Sequence, residues 1–205
     1  MSQKENETAQ ATEQEKAEAI GALFTHCRNM LLQSFDGSDV EGQVGEHPLF
    51  GPLFIFTLKL NQQAYSCGFL VGEVARTMQN NPHPEVWISS FFVDMVREGT
   101  SRPLPSQPSS EEESKAFVEQ KVLPACANGI REEFTDRSVH LEVVMHPEYG
   151  PILEAGFPEY KDGSNTAGLP IHFLFTLYLL NRDPAEPVIE ALYRVLSEQE
   201  AVEAH

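Results

Sequence analysis

Val139-His140-Leu141-Glu142-Val143-Val144-Met145-His146-Pro147 alternates as a β-strand does. Leu141, Val143 and Met145 fall on one side of it, and His140, Glu142, Val144 and His146 on the other. The first set predicts a core face. The second carries two imidazoles and a carboxylate, so it predicts the place for chemistry. The turn His146-Pro147-Glu148-Tyr149-Gly150-Pro151 follows, and residues 152–157 extend again. A second strand, residues 169–180, is predicted from its unbroken apolar run. Ile171, Phe173, Phe175, Leu177 and Leu179 then face the core, with His172, Thr176 and Tyr178 on the other side.

Working outward, residues 16–35 and 114–134 space their apolar residues as helices do, Pro124 marking a kink or true start in the latter. Residues 1–15 read as a frayed or disordered tail. A short extended piece (40–45) and a strand (53–60) precede a helix predicted from Asn61 to Asn80. Residues 84–98 suit either helix or strand. Pro84 at a first helical position and Gly99 as C-cap favour the helix. Asp183 and Pro184 open a last helix to about residue 200. Residues 158–168 read as a loop that can act as a lid, and 100–113, rich in Pro, Ser and Glu, as a linker. The predicted fold class is α+β: an antiparallel sheet with helices packed on one face, from a first half (16–99) and a second (114–205).

The halves look related. His47-Pro48-Leu49-Phe50-Gly51-Pro52 and His146-Pro147-Glu148-Tyr149-Gly150-Pro151 correspond at an offset of 99. Lys16 and Lys115, Ala17 and Ala116, Cys27 and Cys126, Asn29 and Asn128, and Phe35 and Phe134 share that offset. Phe56-Thr57-Leu58-Lys59-Leu60 resembles Phe175-Thr176-Leu177-Tyr178-Leu179 once a gap of about 20 residues is allowed. An internal repeat of helix, strand, His-Pro turn, strand and helix is the expectation, its strands joining one sheet.

If the 139–146 and 169–180 strands are neighbours, His172 approaches His140, Glu142 and His146, and Thr176 and Tyr178 add hydrogen bonds to a ligand. His140, Glu142 and His172 are the residue types that hold zinc or non-haem iron. His140 and His146 cannot share one metal, because six residues of strand span about 20 Å. The same face can instead do acid–base work, with a histidine oriented by Glu142. His47 and His146 each head a turn, where the imidazole can bond turn backbone.

Composition narrows the classes. The 205 residues are 41% hydrophobic with 13 Phe, enough for a core. No apolar run spans a membrane and no secretory h-region precedes Ala19. Three scattered cysteines make neither a disulfide framework nor a Cys-x-x-Cys site, which fits a reducing cytoplasm. The net charge of −17 argues against direct binding to nucleic acid or anionic membrane. The leading expectation is a small-molecule-binding protein with a cleft beside the 139–146 and 169–180 strands. A metal-dependent enzyme using His140, Glu142 and His172 and an acidic interaction or inhibitor protein are the alternatives.

Overall fold

The computed structural model describes residues 3–47, 50–106, 108–158 and 166–203. The fold is α+β, with two three-stranded antiparallel sheets and helices. The chain divides into two compact units, Met1–Leu104 and Pro105–His205, and the division falls within the proline- and serine-rich stretch.

The first unit runs α1 (Gln3–Ser34), β1 (Asp39–His47), β2 (Gly51–Leu60), β3 (Gln63–Leu70), α2 (Val71–Asn80) and α3 (Pro84–Glu98). Its sheet has the order β1-β2-β3. Phe54, Phe56 and Leu58 alternate along β2 and are fully buried. Each contributes roughly 1.5–3 kcal/mol by leaving water. Phe24 of α1 stacks on Phe56 at 5.0 Å between ring centroids, and Phe69 of β3 meets Phe91 and Trp87 of α3. Pro84 opens α3 and Gly99, at φ 64°, caps it, so the helical choice for 84–98 agrees with the structure.

The second unit runs α4 (Glu111–Phe117), a π-helical turn (Val118–Val122), α5 (Leu123–Glu133), β4 (His140–His146), β5 (Gly150–Gly156), β6 (Thr166–Pro170), α6 (Ile171–Leu179) and α7 (Glu186–Glu203). Ser110 caps α4 by accepting from the Glu113 amide. Pro124, which lacks a donor, sits in the first turn of α5, and the widened π turn lies just before it. The sheet order is β4-β5-β6. Its core joins Leu153, Ala155 and Ala167 of the strands to Cys126, Ile130, Leu174, Val188 and Leu192 of the helices.

Several sequence expectations change. The strands form two separate sheets rather than one. The region 1–15 is helical from Gln3. The helix expected from Asn61 starts at Val71; before it Tyr65, Cys67 and Phe69 alternate as buried residues of a strand. Asn61 and Gln62, at φ 52° and 66°, make the two-residue turn that joins β2 to β3. The strand expected at 169–180 is β6 followed by α6. Ile171, Leu174 and Leu177 bury one helical stripe, and the aromatic residues between them made the run look like a strand. Phe175–Leu179 therefore lies in a helix and cannot match β2. Residues 159–165 of the expected lid loop lie outside the described residues.

Both units nevertheless share one order: a helical segment (α1 in the first, α4 through α5 in the second), a three-strand meander and two helices. His47 pairs with Gly51 and His146 with Gly150. Those glycines stand at φ 75° and 68°. Further on, Thr57 pairs with Ser66, and Gly156 with Thr166.

Candidate functional site

Alternation and register fix which way β4 presents its side chains. Leu141, Val143 and Met145 lie opposite Ala155, Leu153 and Pro151 of β5. Ala155 and Leu153 are buried beneath the helices, so this is the core face, as the sequence implies. The cover ends early, however. Leu141 is half-buried, whereas Val143 is 48% and Met145 77% exposed. The expectation that all three are core residues fails for the last two, because among the described residues the helices leave that end of the sheet face exposed.

The uncovered end opens into a groove of about 500 Å³. Val143 and Pro151 are its contribution from the sheet. Val118 and Leu123, around the π turn, and Ile171 and Phe175 of α6 line it with apolar groups. Lys115, Glu119 and His172 add polar groups. His172 lies in the first turn of α6, and its carbonyl accepts from the Thr176 hydroxyl at 2.9 Å.

The sequence-predicted residues divide between two places. His172 borders the groove, on the helix side of the sheet. His140, Glu142 and His146 alternate with the core residues and so belong to the opposite face. His140 Nε2 and Glu142 Oε2 are 3.5 Å apart and both side chains are largely exposed. His140 also borders a smaller hollow of about 250 Å³ beside Arg131, Phe134 and Arg137. Among the described residues no three His, Cys, Asp or Glu side chains are grouped to hold a metal. His140, Glu142 and His172 are thus not brought together as the zinc or iron set expected from the sequence; a strand and a helix separate what two adjacent strands were to join.

The remaining candidates have local structural tasks. His146 Nδ1 accepts from the Glu148 and Tyr149 amides at 3.2 and 3.3 Å, and its ring lies 4.8 Å from that of Tyr149. His47 Nδ1 accepts from the Phe50 amide at 3.2 Å, with its ring 4.9 Å from that of Phe50. Thr176 is buried, and Tyr178 packs edge-on against Phe117.

The three cysteines are buried thiols. Burial pushes the Cys27 and Cys126 thiols up to about 12, the Asp183 charge adding to the effect at Cys126. Neither supplies a thiolate near neutral pH. Among the described residues no helix is long and apolar enough to cross a membrane.

Sequence reasoning missed Lys115, Val118, Glu119, Leu123 and Pro151 as site residues. Their signal was indirect: an apolar face on β4 that continues past the residues a helix covers. No protein-family model matches the chain, and no curated protein or solved structure matches it.

Proposed function

We propose that this protein is a binding protein and that the groove of its second unit is the ligand site. The observation that supports the reading is the exposed core-face residue Val143, which lines an apolar groove of about 500 Å³. Leaving apolar surface of this kind in water costs roughly 25 cal/mol per Å², which a ligand recovers on covering it. An apolar lining with a few polar groups is the ordinary make-up of a small-molecule site, and the volume falls in the usual range of about 300–1,000 Å³. A ligand with an apolar body fits between α6 and the π turn. Lys115, Glu119 and His172 offer hydrogen bonds to its polar end. The protein works in the cytoplasm under this reading, where its three cysteines remain thiols. We propose further that the two units are copies of one ancestral unit, a reading supported by their shared element order and matched His-Pro turns.

Nile red, a neutral dye that brightens in apolar surroundings, tests the site. Wild-type protein takes it up saturably, and Val143→Asp weakens uptake by about tenfold or more, equivalent to about 1.4 kcal/mol. Phe175→Ala widens the groove and weakens uptake less. Unchanged uptake by a folded Val143→Asp protein overturns the assignment.

A further inference from the structure

We infer that the groove and the adjoining outer edge of β4 together receive an extended segment of a partner protein, one that alternates apolar and basic residues. The inference rests on the groove being a binding site and names its occupant. Three observations carry it. First, β4 is an edge strand: among the described residues it pairs only with β5, so its outer row of backbone donors and acceptors is open to another strand. Second, the helix-side residues of that edge, Val143 and Met145, are apolar and exposed. Every second side chain of an added strand would lie beside them and reach the groove.

Third, the other face of the same edge carries a facing pair of carboxylates, with the His140 ring 3.5 Å from one of them. Glu142 lies directly opposite Glu154 in the β4–β5 ladder. Two like charges at facing positions destabilise a sheet. A lysine or arginine on an incoming strand, beside Glu142, neutralises that pair. The surroundings favour the same partner: residues 105–205 hold eighteen acidic and seven basic side chains, a net charge of −11. An incoming strand therefore needs apolar residues toward Val143 and Met145 and a basic residue toward Glu142. A second copy of this chain offers the wrong charge for the task.

A labelled octapeptide of alternating lysine and valine is the probe, read by fluorescence anisotropy on the full chain, with an alternating glutamate and valine peptide as control. The lysine peptide is expected to bind at least about tenfold tighter than the control, a difference of about 1.4 kcal/mol, and more weakly as salt is added. Glu142→Lys reverses the preference, Val143→Asp abolishes binding of both peptides, and amides 140–146 gain protection from hydrogen exchange when the lysine peptide binds. Nile red uptake without preference for the lysine peptide overturns strand addition and leaves the groove assignment standing. Failure of dye and peptide alike overturns both. Lysine-peptide binding that survives Val143→Asp and gives β4 no protection overturns the inference too, because charge alone then holds the peptide.

Discussion

Gly42 faces Phe56 across the β1–β2 ladder of the first unit; at the corresponding places in the second, Leu141 faces Ala155. The bulky member of the pair has changed strands. Phe24 of α1 fits over Gly42: a Cβ there would lie 2.7 Å from the Phe24 ring and 2.9 Å from the Phe56 ring. The residue 99 positions after Phe24 is Leu123, which lines the groove. One backbone plan is thus packed in two ways, with stacked rings in one unit and with aliphatic groups in the other. The edges differ as well. Glu46 occupies the β1 position that Met145 occupies on β4, and the start of α2 has Gly72 and Ala75 where α6 has His172 and Phe175. The lesson is that the second unit carries the apolar Met145 and Phe175 where the first carries Glu46 and Ala75, while the exposed Val44 and Val143 are common to both.

The comparison breaks or sharpens at specific residues. Phe56→Ala has the largest expected effect, about 3–5 kcal/mol of stability by denaturant titration, because the rings of Phe24 and Phe69 then border a void. Gly42→Leu alone overpacks the same region and costs about 1–3 kcal/mol. Combined, the two substitutions rebuild the Leu141–Ala155 pair. The double variant is expected to be more stable than the sum of the single losses by about 1 kcal/mol or more, within the range of couplings between touching residues. Strict additivity would mean that the two pairs are not equivalent. The smallest effect belongs to Glu142→Gln. Removing the like-charge pair with Glu154 is expected to raise the melting temperature slightly, by the equivalent of about 0.2–1 kcal/mol, with the gain fading at high salt. A loss of stability would show that the His140 contact with Glu142, at 3.5 Å, outweighs the repulsion from Glu154.

Much of the fold is legible in the chain. The alternation of Phe54, Phe56 and Leu58 gives β2, and the spacing of Cys27 and Leu31 gives the buried stripe of α1. Pro84 and Gly99 bound α3. The β3 strand was hidden because Cys67 and Leu70 run on into Val71 and Val74 with helical spacing, although only the last two lie in the helix. The α6 helix was hidden for the opposite reason: a helix that is apolar nearly all round has no polar face to reveal its period. That one error moved His172 onto a strand and assembled it with His140 and Glu142. The side of β4 that faces the core was readable from alternation. Where the helical cover stops was not, because it depends on how far α5 and α6 reach over a sheet formed by residues distant in sequence.

The most direct test places an aspartate at matched positions, Val44→Asp on β1 and Val143→Asp on β4. The two valines are 49% and 48% exposed, so a charge costs each unit a similar, small amount of stability. Nile red uptake by both full-length variants is then compared with wild type. Loss of uptake with Val143→Asp and near-wild-type uptake with Val44→Asp is the expected result, and it places the ligand site in the second unit. Equal losses, or retention by both, would contradict the assignment of the groove.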